Sequence, residues 1–140
     1  MNTHRKASGF TLIELIITML VAAILIMAAY PSYQSSILKS HRSDAMAALS
    51  SNQTIFERCY AQNFSYTTAC TALPTFPYTS PQGYYTISVS NLTTSTFTLT
   101  ATAIGTQVKD TKCRSFSITQ ANSKTALDSG GASQTSCWNP

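Results

Sequence analysis

The chain has 140 residues, of which 44% are hydrophobic and only 10% charged, with a formal net charge of +4. That length excludes a second sizeable core, leaving one small domain plus an anchor. Sparse charge, with abundant Ser and Thr from Ser65 onward, fits an exported, sheet-rich surface better than a cytosolic enzyme. From Phe10 to Tyr30 the sequence is apolar almost without a break, and as a helix these 21 residues span about 31 Å, enough to cross a bilayer. A secretory signal cut near Ala28 or Ala29 would place Met27 or Ile26 where a small residue is expected, so the run reads as a retained anchor.

One residue interrupts the run. A carboxylate in such a segment costs a few kcal/mol or more when unpaired, so Glu14 calls for a cation. A cut between Gly9 and Phe10 would supply an α-amine one turn away, and Glu14 would also meet the positive end of the helix dipole. In a bundle of such helices the carboxylate could instead pair with a neighbour's amine and set the axial register. A Glu snorkelling to the membrane face is the plainer alternative.

Pro31 lacks a backbone donor and should bend the helix without necessarily ending it. Beyond it Leu38, Ala45, Leu49, Phe56 and Tyr60 form one apolar stripe at helical spacing. Lys39, Arg42, Asp44, Glu57 and Arg58 lie off that stripe and read as a solvated face; Lys39, His41 and Arg42 also stand close enough to the membrane to meet lipid headgroups. Helical patterning fades around Gln62 to Phe64, and Ala72 to Gly83, with three prolines, reads as an irregular connection. Tyr85, Ile87 and Val89 alternate with polar residues, as do Phe97, Leu99, Ala101 and Ala103, predicting an antiparallel hairpin across Asn91 to Ser95. Gly105 to Lys112 reads as a loop, and Phe116 and Ile118 then join the core face of a third strand. The only long surface able to cover that face is the Leu38 to Tyr60 stripe. From Ala121 to Pro140 the chain is polar and would fray unless anchored.

Four cysteines, Cys59, Cys70, Cys113 and Cys137, in a chain whose anchor sends the rest across a membrane read as two disulfides. Cys59 to Cys70 would tie the loop after the helix back to it, worth roughly 2 to 3 kcal/mol on the entropic model. Cys113 to Cys137 would enclose the polar tail, and the other two connectivities stay open. No metal is expected, since no Cys-x-x-Cys spacing occurs and the histidines are His4 and His41.

Arg5-Lys6-Ala7-Ser8-Gly9-Phe10-Thr11-Leu12-Ile13-Glu14-Leu15, the apolar helix and Tyr30-Pro31-Ser32-Tyr33 resemble the class III leader and N-terminal helix of type IV pilins and secretion pseudopilins. Phe97 to Ala103, Gln107-x-x-Asp110-x-x-Cys113 and Cys137-Trp138 look like the PilE-type minor pilins of type IVa pili. The resemblance implies an α+β pilin fold, a long N-terminal α-helix, membrane-spanning in its first half, packed on a small antiparallel β-sheet. It divides the chain into a cleaved leader 1–9, a membrane or filament-core helix 10–30, an amphipathic half 31–63 and an exported head 64–140 with a disulfide-bounded C-terminal region. It further implies that a prepilin peptidase cuts after Gly9 and methylates Phe10, that Glu14 is the assembly carboxylate and that Pro31 kinks the helix.

Without the leader the charge falls to about +2, seven Lys and Arg against five Asp and Glu. No catalytic constellation and no Gly-rich phosphate loop occurs, so neither an enzyme nor a cofactor is expected. The reading is a minor pilin that primes assembly or sits near the tip and serves motility, adhesion or DNA uptake. It would be held in the bacterial inner membrane, head in the periplasm, until it enters an extracellular pilus. Its partners would be major and minor pilins, the peptidase, the inner-membrane assembly platform and, before assembly, the membrane itself. A major pilin shares every N-terminal feature, and a type II secretion pseudopilin fits the two disulfides less well. Nucleic-acid binding through Lys109, Lys112, Arg114 and Lys124 is the alternative of a different class, weakened because Asp110 and Asp128 offset two of those cations.

Overall fold

The computed structural model describes residues 9–67 and 72–139. The leader, apart from Gly9, and Cys70 lie outside the described residues. One long helix, α1 (Leu12–Asn63), precedes five strands, β1 (Tyr78–Thr79), β2 (Tyr85–Ser90), β3 (Thr98–Ala103), β4 (Ser115–Thr119) and β5 (Lys124–Leu127). Two 3-10 turns, Gly105–Lys109 and Thr135–Trp138, complete the elements. The chain separates into two compact units, Met1–Ser35 and Ser36–Pro140.

In the first unit Thr11 caps α1, accepting a hydrogen bond from the Glu14 backbone N–H at 3.3 Å. Thr11 therefore starts the helix as its N-cap, through a bond to which Glu14 contributes only its backbone N–H. Phe10 and the large apolar side chains from Leu12 to Met27 are all exposed. The helix is long and apolar enough to cross a membrane. It runs on through Pro31, whose ring costs one hydrogen bond but lies among many that remain.

In the second unit Ala45, Ala48, Leu49, Asn52, Phe56 and Cys59 are the buried stripe of α1, spaced three and four residues apart. All five strands pair antiparallel in sequence order. Ile87, Ala101, Phe116 and Ala126 stand in one cross-strand row, and Val89, Leu99 and Ile118 in the next. These rows face α1, where Phe56 stacks on Phe97 with ring centroids 4.6 Å apart. Phe97, Tyr85, Phe116 and Ile118 are fully buried, so the expected hairpin, its third strand and its helical cover are all present. The opposite face carries Thr86, Ser88, Thr98, Thr100, Thr102, Ser115, Ser117 and Thr119, as the period of two requires.

Two local expectations change. Gly105–Lys109 is a 3-10 turn where a loop was expected, because Gln107 and Asp110 N–H groups bond back to Ile104 and Gln107 carbonyls. The polar tail supplies β5, which extends the sheet beside β4, and a second 3-10 turn that packs on its core face. There Trp138 packs edge-on against Phe116, with ring centroids 5.6 Å apart, and donates to the Thr125 carbonyl at 2.9 Å.

Candidate functional site

The deepest polar feature of the head is a carboxylate network between α1 and the segment after β3. Arg42, on α1, is 6% exposed and Asp110 is 4% exposed. Arg42 Nε donates to Asp110 Oδ2 at 2.7 Å and Nη2 to Oδ1 at 3.0 Å, a two-pronged pairing that suits a buried guanidinium. The Cys113 N–H also donates to Asp110 Oδ1. Gln107, fully buried, donates from Nε2 to the Leu38 carbonyl and to Tyr85 Oη, at 3.0 and 3.1 Å. Its Oε1 is thereby left to accept from His41 Nδ1 at 3.1 Å, and the His41 ring stacks on Tyr84 at 3.6 Å. Burial pushes the Tyr85 hydroxyl up to about 12.

Asp44, two residues further along α1, accepts from Ser80 Oγ and from the Gln82 N–H at 3.2 Å. The expectation that Arg42 and Asp44 belong to a solvated face is therefore wrong: both are buried, each completed by groups distant in sequence. The Gln107-x-x-Asp110-x-x-Cys113 spacing acquires a physical meaning, since Gln107 and Asp110 dock on α1 and Cys113 begins the closure of the tail.

That closure is the Cys113–Cys137 disulfide, with Cα atoms 5.7 Å apart. No described cysteine is a free thiol. The expected partner of Cys59, Cys70, lies outside the described residues.

The disulfide sets the Thr135–Trp138 turn between two of the predicted cations. On one side Lys112, Lys39, Arg42, Ser136 and Asn139 line a cleft of about 150 Å³. On the other, Lys124 Nζ lies 5.3 Å from the centre of the Trp138 ring, a cation–π distance. Arg114 goes elsewhere, donating from Nη1 to the Val108 carbonyl beside Lys109. The predicted patch thus divides into Lys112 and Lys124 about the C-terminal turn, and Arg114 and Lys109 about the other. Lys39 was missed as a member because it stands on the helix, far from the others in sequence.

The acids do not cancel these cations as the sequence suggested. Asp110 is spent on Arg42, the only ion pair among the described residues. Asp128 is half-buried, and its carboxylate turns into its own loop, where the Ala132 N–H first, then Gln134 and the Gly130 N–H, hold its pKa below the usual range. Glu57 accepts from Tyr66, whose hydroxyl burial and Glu57 push up to about 12. Lys39, Arg58, Lys109, Lys112 and Lys124 are exposed. Among the described residues no group of three or more His, Cys, Asp and Glu side chains could hold a metal.

The helix and meander sheet, with a methylation motif over residues 4–30, define the class, a type IV pilin. The crystal structure of the Neisseria meningitidis non-core minor pilin PilV matches over 72% of this chain and 97% of that one, with a TM-score of 0.57 and 18% identity, a likeness of fold. Residues 31–117 match the family model described as type IV minor pilin ComP, DNA uptake sequence receptor, and the chain belongs to that family of minor pilins. No curated protein matches it in sequence. Family and fold are those of structural subunits that associate with other pilins and with the prepilin-processing machinery, anchored in a membrane before they join a pilus.

Proposed function

We propose that this minor pilin captures duplex DNA on a cationic band running from Lys39 and Lys112, across the Thr135–Trp138 turn, to Lys124. The observation that carries the reading is the withdrawal of the acids: Asp110 neutralises Arg42 inside the head, leaving Lys39, Lys112 and Lys124 exposed around the turn. Cations arranged along a surface bind the phosphate backbone and release its counterions, an attraction independent of sequence. The family's description as a receptor for a DNA uptake sequence agrees in substrate class. Trp138, half-buried beside Lys124, offers an aromatic surface next to the charge.

The rest of the reading concerns how the band is displayed. A peptidase cuts between Gly9 and Phe10 and methylates the Phe10 amine. The anchor holds the chain in the inner membrane, head in the periplasm, and Glu14 pairs with a neighbour's amine as the assembly platform adds the subunit. Pro31 kinks the helix, Cys59 and Cys70 form the second disulfide, and the subunit primes the filament or sits near its tip, where DNA meets it first.

Retention of a labelled duplex by the full mature chain in detergent, titrated with salt, tests the reading. Lys112→Glu with Lys124→Glu should weaken retention by about two orders of magnitude at low salt and flatten the logarithmic salt slope by about 2, close to one phosphate per lysine. Transformation should fall while filament number stays constant. Unchanged retention and slope in the double variant would refute the band.

A further inference from the structure

Resting on that reading and deepening it, we infer that the cleft between α1, Lys112 and the Thr135–Trp138 turn is an oxyanion pocket that seats a single phosphate group, and that it is the point at which bound DNA is held in register.

Three features set the cleft apart from the rest of the band. Its lining contains Lys39, Arg42 and Lys112 together with Ser136 and Asn139, and no carboxylate among the described residues. Arg42 is more than nine-tenths buried, and its Nε and Nη2 are committed to Asp110. Its Nη1 makes no hydrogen bond among the described residues. Arg42 is itself one of the residues that line the cleft. A guanidinium anchored by Asp110 is a rigid donor, losing little entropy when it meets an oxyanion. Lys39 and Lys112 add point charges that no acid among the described residues takes up, the only ion pair there being Arg42 with Asp110.

With Arg42 balanced by Asp110, the described lining keeps a net charge of about +2, enough to neutralise the single charge of a backbone phosphodiester or the one to two charges of inorganic phosphate near neutral pH. The Ser136 hydroxyl and the Asn139 side chain supply uncharged hydrogen-bonding groups at the rim. A carboxylate is planar and carries one charge, whereas a tetrahedral phosphate can use cations and donors converging from α1, Lys112 and the turn. The Cys113–Cys137 disulfide ties the segment that carries Ser136 and Asn139 to the one that carries Lys112.

The same chemistry can come from free phosphate or from a DNA strand, and two titrations of the full mature chain in detergent separate them. Inorganic phosphate is titrated calorimetrically in chloride buffer against wild type, Lys39→Ala and Ser136→Ala, and duplex retention is measured with phosphate or chloride at equal ionic strength. The inference expects saturable phosphate binding weakened about tenfold by Lys39→Ala and by a smaller factor by Ser136→Ala, with unchanged thermal unfolding. It also expects phosphate to displace DNA at several-fold lower ionic strength than chloride, an advantage lost in Lys39→Ala. Saturable phosphate binding in a protein that retains no DNA would keep the pocket and overturn the DNA reading. DNA retention with phosphate and chloride equally effective and no phosphate heat would overturn the pocket and leave the band.

Discussion

Glu14 and Asp44 are carboxylates on one helix, thirty residues apart, and the chain treats them in opposite ways. Asp44 is 3% exposed and surrounded by donors from Ser80, Gln82 and Tyr84. Glu14 stands among exposed apolar side chains and pairs with no cation among the described residues. The second half of α1 is completed by its own chain, with a sheet to cover its stripe and a partner for each buried charge. The first half is completed by nothing the described residues contain, so its stability and specificity must come from lipid and then from other subunits. A pilin is therefore two folding problems joined in one helix, one solved alone and one solved only in company.

The strongest challenge to the self-contained half is the removal of one member of its buried ion pair. Arg42→Ala leaves Asp110 charged and 4% exposed with its main partner gone, and should cost about 3 to 5 kcal/mol of head stability. Thermal unfolding followed by the near-ultraviolet signal of Trp138 measures it. A loss below about 1 kcal/mol would mean that water reaches Asp110 and that the pair does little for the docking of the Gly105–Lys109 turn on α1.

The importance of that pair could not be read from sequence, and the reason is physical. Ala45, Leu49 and Phe56 announce themselves through helical spacing, and Ile87, Leu99 and Phe116 through alternation, because apolar burial follows the period of a single element. Burial of a charge depends on the partner, and Asp110 lies 68 positions from Arg42. From spacing alone both Arg42 and Asp44 belong to the wet face of an amphipathic helix. The cationic band shows only in part for the same reason: Lys112 and Lys124 are near in sequence and stand out as candidates, but Lys39 joins them only through tertiary structure, and Asp110 looks like a counter-charge until its side chain is traced inward. The 3-10 turns are too short and polar to leave a periodic signal. The Thr11 cap is legible in the sequence, but it uses only the Glu14 backbone and leaves the carboxylate without a local partner among the described residues.

A smaller effect is expected at Asp44, where shape can be kept while charge is removed. Asp44→Asn retains one acceptor oxygen and replaces the other with a donor that faces the Ser80 hydroxyl and the Gln82 and Tyr84 N–H groups. The mismatch should cost about 1 to 3 kcal/mol and loosen the turn leading into β2. Amide exchange at Gln82 and Tyr84 should rise more than at Leu99 or Ile118 in the middle of the sheet. Uniform acceleration across the head would instead show that Asp44 stabilises the fold globally, with no special claim on that turn.

The effect on the head should vanish at Glu14. Glu14→Leu replaces an exposed carboxylate by a residue of the kind that surrounds it, so head unfolding should not change, and insertion into a membrane should improve slightly if it changes at all. The Glu14 N–H can still reach Thr11 Oγ1, since that bond uses the backbone. Entry into filaments is where the substitution should tell, because in the proposed assembly the carboxylate sets each subunit's axial position against a neighbour's amine. Sheared pili and membranes probed for this chain should show it accumulating in the membrane and missing from the filament. Normal incorporation of Glu14→Leu would sink that role for the carboxylate, and the first half of α1 would then be held in the filament by apolar packing alone.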